Sequence, residues 1–464
     1  MKNVLLPIFQ RLPGFVKNAA TTWVGERRNK WRYTENSDRL IQEVAERDVY
    51  SKNEWATYQQ ERLDFILHRA RHKVPYYKAY WDKRSKKGDT ESWKRLENWP
   101  VLTKEEVRNY NSAFIAEDCD PKKMYTERTS GSTGKPVTVF WSRETTETYY
   151  AIFERRMRNW HGITRHDKYA MLGGQLINSA NQTSPPFWVK NKAMNQLYMS
   201  CFHIAPQFVP HYARALRKYQ PEYMYGYASS MYLLSMLVLE QGLEVPRLKA
   251  AISNAEFFFD YQQEAIRKAF NCQTINTYGM SELTAAGCTY GGQDIYLWPD
   301  VGIMEVMEYG VNHPVAEETK EGRFICTTLI NPDMPFIRYE VGDGGVVQSC
   351  TADDKLHYKK ITRIGGRIDD FIITSDDRYI SRLDALFKTH ELNIVEAQVI
   401  QEERDVFRIL VVPGKGYSKE DRAIIESNFR KRVGEGKLTF QSVEAIPRTA
   451  AGKYKAIVSK IKKD

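Results

Sequence analysis

The sequence predicts a large α/β domain followed by a small α+β domain, and three observations carry that prediction. Helix formers with apolar residues at helical spacing dominate residues 36–95. Short β-branched runs then alternate with helical stretches across 98–345. After Gly365 and Gly366 the pattern starts again as a compact unit, which makes the glycines a candidate hinge. The expected division is 1–95 as a helical N-terminal section of the large domain, 96–366 as its α/β core, and 367–464 as the C-terminal domain.

Taken in order, DRLIQEVAERDVY and WATYQQERLDFILHRARHKV are the expected helices of the first section. In the core, strands are expected at Val137 to Trp141, Tyr169 to Leu172, Ala250 to Ile252, Thr274 to Thr277 and Gly322 to Leu329. The helices expected between them include Met231 to Gln241 and Tyr261 to Phe270. The last unit reads as a strand at Asp370 to Thr374, a helix at Arg382 to Thr389, strands at Ile394 to Gln401 and Val406 to Val412, and a helix at Lys419 to Val433.

Composition narrows the class. The chain has 464 residues, 42% hydrophobic and 27% charged, enough to bury two or three cores, so disorder is excluded. A formal charge of +10 favours an anionic partner. There is no aromatic-basic RNA-binding motif and no helix-turn-helix signal, so nucleic acid is not an expected partner. Cys119, Cys201, Cys272, Cys288, Cys326 and Cys350 lie far apart without a C-x-x-C pair, as reduced thiols of a cytoplasmic protein do. No stretch is apolar for long enough to span a bilayer. Near the N-terminus Leu5, Leu6, Ile8, Phe9, Phe15 and Trp23 mix with Lys2, Arg11 and Lys17, which suits a peripheral position at the inner face of a membrane. Pro7 and Pro13 interrupt a long amphipathic face there, which favours a helix or arm packed on its own domain.

Five segments carry the chemistry. Thr129-Ser130-Gly131-Ser132-Thr133-Gly134-Lys135-Pro136 gathers hydroxyls, glycines and a lysine before the strand VTVFW, a composition suited to a polyphosphate. The Walker spacing is absent, and alone such a cluster is more often a plain loop. Thr277-Tyr278-Gly279-Met280-Ser281-Glu282 brings a ring that can stack on a base and a carboxylate that can hold Mg²⁺. Ile337-Arg338-Tyr339-Glu340-Val341-Gly342-Asp343 ends in a carboxylate able to accept from two ribose hydroxyls. Gly365-Gly366-Arg367-Ile368-Asp369-Asp370 supplies the hinge, and Ile446 to Lys453 puts one lysine on a glycine-bearing loop. Each has a plainer reading: Asp343 as a turn former, Glu282 as a helix cap, Lys453 as part of a solvated basic tail.

In this order and at these separations the segments resemble the core motifs of the adenylate-forming superfamily: acyl-coenzyme A ligases, luciferases and peptide-synthetase adenylation domains. Val74-Pro75-Tyr76-Tyr77, Trp99 to Lys104, the G-K-P order of the loop and Pro221 through Gly226-Tyr227-Ala228-Ser229-Ser230 are similar to the phenylacetate coenzyme A ligase branch. They are more similar still to its relatives of capsule and polysaccharide biosynthesis, from residue 60 to 460.

The resemblance implies an adenylate-forming fold with a mobile C-terminal lid. It also implies an ATP- and Mg²⁺-dependent ligase that converts a carboxylic acid to its acyl-AMP and passes the acyl group to coenzyme A. It assigns the β- and γ-phosphates to the loop Ser130, Gly131, Ser132, Thr133, Gly134 and Lys135, and the adenine to Ala255, Glu256 and Tyr278 with Gly279 and Ser281 beside them. Mg²⁺ goes to Glu282, the ribose to Asp343 with Arg367, the hinge to Asp369, and the bridge between carboxylate and α-phosphate to Lys453. Acid-pocket candidates are His203, Tyr227, Asn254, Phe257, Ala285 and Gly287. One departure stands out: Thr374 to Ser381 lacks the glycine and proline usual after the hinge, which keeps an amine or hydroxyl of a sugar- or carrier-linked acceptor open beside coenzyme A; a non-catalytic descendant that binds nucleotide is the lesser alternative, since Glu282 and Lys453 are both present.

Overall fold

In a computed structural model, the structure describes residues 8–128, 137–175, 177–179, 182–351, 354–367, 372–373, 379–380, 386, 392–447 and 455–461. Helices Ser37–Arg47, Lys52–Lys73 and Pro75–Ser85 fall where the periodicity of residues 36–95 predicts them, and a further helix, Gly14–Arg32, precedes them. Ser51 and Glu54 form a capping box at the start of Lys52–Lys73, and Pro75 occupies the first turn of Pro75–Ser85, where its missing N–H costs nothing. Pro13 lies at the N-cap of Gly14–Arg32, so the prolines precede that helix and leave its 19 residues uninterrupted.

Two large sheets follow. The first has six strands in the order Trp188–Asn191, Gln196–Ser200, Tyr169–Gly173, Tyr223–Gly226, Ala250–Ser253, Gln273–Ile275, parallel except for the first. Helices Val209–Tyr219, Ala228–Glu240 and Asp260–Phe270 pack against it through Leu216, Met231, Leu234 and Ile266. The second is a seven-stranded antiparallel sheet formed by Thr277–Gly279, Ala286–Thr289, Ile295–Leu297, Gly302–Met307, Gly322–Thr328, Tyr339–Gln348 and Lys360–Arg367.

The expected α/β alternation therefore ends earlier than 345. Beyond Phe270 the described part of the large domain contains strands and turns only. The expected strand Thr274 to Thr277 is two strands, one in each sheet, with Asn276 between them. A run of β-branched residues carries no mark of where a chain leaves one sheet for another.

The C-terminal part is a four-stranded sheet in the order Lys437–Ser442, Val406–Pro413, Ile394–Glu403, Ile457–Ser459. Helix Lys419–Val433 buries Ile425, Phe429 and Val433 against Val399, Phe407 and Ile409. The expected helix at Arg382 to Thr389 falls almost wholly outside the described residues. All six cysteines are free thiols. Among the described residues no helix is long and apolar enough to cross a membrane.

Candidate active site

The first sheet aligns its parallel strands so that Gly173, Ser200, Gly226 and Ser253 end at one edge. In an open α/β sheet the carboxyl ends of the strands form the ligand-binding crevice. His203, Tyr227, Asn254, Ala255 and Glu256 all follow these ends. Thr277 joins them, its N–H donating to Ser253 Oγ (3.2 Å) and its hydroxyl to Ser253 O (2.7 Å), which holds Tyr278 beside the Asn254–Glu256 turn. Ala255 has φ +58°, a left-handed conformation that costs a side-chain-bearing residue of order 1 kcal/mol or more. The Glu256 carboxylate accepts from Ser229 N–H (2.9 Å), satisfying an otherwise unpaired donor in the first turn of Ala228–Glu240.

The second sheet contributes two carboxylates. Tyr278 Oη donates to Asp343 Oδ2 at 3.0 Å, and Tyr339 Oη donates to Glu282 Oε1 at 3.1 Å. Tyr278 and Glu282 are four residues apart on one segment, Tyr339 and Asp343 four apart on another, so the two hydrogen bonds cross between segments. Tyr339 is fully buried and Glu282 nearly so; burial first, then the Glu282 charge, pushes the Tyr339 hydroxyl far above its ordinary range and keeps it a donor. Leu283 and Arg338, the neighbours of Glu282 and Tyr339, are also left-handed, at φ +53° and +49°.

The N-terminal motifs brace this arrangement. Leu102 pairs with the Tyr339 strand through Leu102 N–H to Arg338 O and Glu340 N–H to Leu102 O, both 2.9 Å. Tyr77 Oη donates to Pro335 O (3.1 Å) and accepts from Ile337 N–H (3.2 Å). Strands Tyr125–Arg128 and Thr138–Trp141, which flank the candidate phosphate segment, pair antiparallel, and Trp141 Nε1 donates to Ser281 O at 3.0 Å. That bond ties the base of the hairpin to the residue before Glu282.

Ser130, Gly131, Ser132, Thr133, Gly134 and Lys135, the hinge Asp369 and Lys453 lie outside the described residues. The backbone of Arg367 pairs opposite Asp343. Among the acid-pocket candidates, Tyr227 precedes the helix Ala228–Glu240, and burial pushes its hydroxyl up to about 12. His203 is buried and stacks on Phe187; its Nδ1 contacts Ser200 Oγ (2.8 Å) and its Nε2 Ser179 O (3.0 Å), while desolvation lowers its pKa. Phe257 is exposed and stacks on Phe259. Ala285 is buried, and Gly287 lies opposite Tyr278, where a Cβ would stand 2.4 Å from Tyr296 O, so only glycine fits. Tyr339 and Ser229 were not among the sequence candidates; the repeated four-residue tyrosine-to-carboxylate spacing was the available signal for Tyr339.

Among the described residues no cluster of three His, Cys, Asp or Glu side chains is placed to hold a metal. One anchored carboxylate, Glu282, suits a cation that takes most of its oxygens from phosphates and water, as Mg²⁺ does.

Residues 372–460 match the family model described as the CapK C-terminal domain. Protein CapK of Staphylococcus aureus is 24% identical over 465 residues, covering 98% of this chain and 99% of the relative. Phenylacetate-coenzyme A ligase of Aromatoleum evansii is 24% identical over 333 residues, 70% of this chain and 72% of the relative. The crystal structure of 2-hydroxyisobutyryl-CoA ligase in the postadenylation state, in complex with R3-HIB-AMP, superposes with a TM-score of 0.67 at 18% identity, covering 87% of this chain and 89% of that one. The chain is homologous to CapK and to the phenylacetate-coenzyme A ligases, and it has the fold of the adenylate-forming coenzyme A ligases.

Proposed function

We propose that the chain uses ATP to activate a carboxylic acid as its acyl adenylate and then transfers the acyl group to coenzyme A. The observation that supports this reading is the crossed pair of tyrosine–carboxylate hydrogen bonds, Tyr278 to Asp343 and Tyr339 to Glu282. Asp343 accepts from the ribose hydroxyls, and the Asn254–Glu256 turn with Tyr278 frames the base. In the first half-reaction a carboxylate oxygen bonds to the α-phosphorus and the bond to the β-phosphate oxygen breaks, releasing pyrophosphate. Both reactants are anionic, so the barrier contains their repulsion. Glu282 would hold Mg²⁺, which when bound would neutralise part of that charge. Lys453 and Lys135 neutralise the rest, at the α-phosphate and at the departing pyrophosphate.

A second acceptor is favoured by one observation: Thr374 to Ser381 lacks the glycine and proline usual after the hinge. An amine or hydroxyl on a sugar- or carrier-linked acceptor would then take the acyl group. The test is acid-dependent pyrophosphate release across aryl, fatty and uronic acids, with and without coenzyme A, using Lys453→Ala as control. Release with one acid class that is lost in the control supports adenylation, and coenzyme A consumption names the acceptor. Silence across the panel with intact ATP binding overturns the reading.

A further inference from the structure

The helix Gly14–Arg32 is turned inside out. Its polar and small residues face the protein. Thr21 Oγ1 donates to Lys190 O (3.0 Å), Asn18 Oδ1 accepts from Lys190 N–H (2.8 Å), and Thr22 Oγ1 accepts from Lys192 N–H (3.1 Å). Asn29 Nδ2 donates to Ala193 O (2.6 Å), and Gly25 is buried so tightly on Asn191 that a Cβ there would stand 2.2 Å from its Oδ1. These contacts satisfy backbone groups along the edge strand Trp188–Asn191 and the turn after it, and they cover that edge. Three large apolar side chains of the helix face the other way. Phe15 is 77% exposed, Trp23 57% and Val24 41%, with Ile8 at 56% just before the helix.

A helix that spends its polar side on the protein and shows its apolar side to solvent is the reverse of an ordinary surface helix. The exposed charges of this segment are Arg11, Arg27 and Lys30 against the single acid Glu26, and Arg27 lies over the Trp23 ring at 5.0 Å. Aromatic residues flanked by arginine and lysine match the boundary between acyl chains and anionic headgroups, where apolar burial and attraction to the surface act together.

We propose that the outer face of Gly14–Arg32, through Phe15, Trp23 and Val24 with Arg11, Arg27 and Lys30, seats the protein on an anionic lipid bilayer. The inference is independent of the reaction assigned to the active site. The full chain is sedimented with vesicles of phosphatidylcholine alone and of phosphatidylcholine with phosphatidylglycerol, at low and high salt. Wild type is expected to bind the anionic vesicles more tightly by on the order of tenfold or more, and to weaken as salt screens the charges. Phe15→Ser/Trp23→Ser is expected to lose on the order of tenfold or more in affinity with an unchanged melting temperature, because both side chains are exposed in the free protein. Arg27→Glu/Lys30→Glu is expected to bind more weakly and with less salt dependence. Failure of wild type to sediment with anionic vesicles would overturn the proposal. So would equal sedimentation of the double serine variant, or a wild-type dimer that this variant converts to a monomer, which would give the face to a second copy of the chain.

Discussion

The Tyr278 hydroxyl donates to the Asp343 carboxylate across 65 residues of sequence, at 3.0 Å, from a strand that is not Asp343's neighbour in the sheet. One oxygen of the ribose-binding candidate is thereby held from the same ring that is proposed to frame the base. Tyr278→Phe keeps the ring and removes the donor. With about 0.5–1.5 kcal/mol lost from positioning, the KM for ATP should rise roughly 2- to 10-fold with little change in kcat. The preference for ATP over 2′-deoxyATP should fall with it. An unchanged preference would show that Tyr278 does not orient Asp343.

The partner bond, Tyr339 to Glu282, is the more buried of the two. Tyr339→Phe leaves Glu282 short of a donor, and the Mg²⁺ concentration for half-maximal pyrophosphate release should rise several-fold at saturating ATP. Glu282→Gln should cost considerably more, because it removes the charge itself. Equal Mg²⁺ titrations of wild type and Tyr339→Phe would dismiss the brace as irrelevant to the metal.

Lys453 lies outside the described residues, and its assignment rests on the motif order around it. Removing one charge that acts mainly on the transition state should lower adenylation by on the order of 10² to 10³ while ATP binding persists. Pyrophosphate release against ATP affinity by calorimetry separates the two quantities. Normal adenylation by Lys453→Ala would remove the residue from the reaction.

Much of this site was legible because its parts are local. The Tyr278–Glu282 spacing and the segment carrying Tyr339 and Asp343 are each written within one stretch of sequence, although Asp343 lies inside the strand Tyr339–Gln348 and not at the end of one. The crossing of the two tyrosines was not legible, because it depends on how two segments pack within one sheet. The same holds for Tyr77 and Leu102. Their motifs resembled a family, but only the fold shows that they fasten the strand bearing Tyr339 and Asp343. The C-terminal helix Lys419–Val433 was read to the residue, as its Ser418–Asp421 capping box permits. The inverted helix at Gly14–Arg32 was obscured because Pro13 reads as a breaker until its place at the N-cap is known.

His161 gives a pH dependence of stability with a definite sign. Burial, opposed by a weaker side-chain interaction with Gln273 that favours the protonated ring, drops its pKa from 6.5 to about 4. The unfolded chain therefore binds the proton first, and stability falls as pH drops from about 6.5 towards 4, by up to about 3 kcal/mol for this group. Above pH 6.5 both states are neutral and the contribution is flat. Urea midpoints measured across this range for wild type and His161→Gln should converge in acid; parallel curves would show that His161 does not titrate with unfolding.

Arg156 is wholly buried between Asp48 (Nε to Oδ1, 2.9 Å) and Asp300 (Nη1 to Oδ1, 2.5 Å), under the rings of Trp55, Trp160 and Tyr358. Asp48 follows the helix Ser37–Arg47 and Asp300 belongs to the second sheet's connections, so one guanidinium ties the helical section to both sheets' shared core. Such a cluster returns little net stability over an apolar replacement, but removing one of its carboxylates leaves the buried guanidinium under-compensated. Asp300→Asn leaves Arg156 with Asp48 as its remaining acidic partner and should destabilise the fold by about 1–3 kcal/mol, seen as a lower urea midpoint at unchanged slope. Asp38→Asn, which breaks an exposed pair with Arg165, should shift the midpoint immeasurably. If the two substitutions behaved alike, the buried arginine would have found other partners, and its place as the joint of the large domain would be lost.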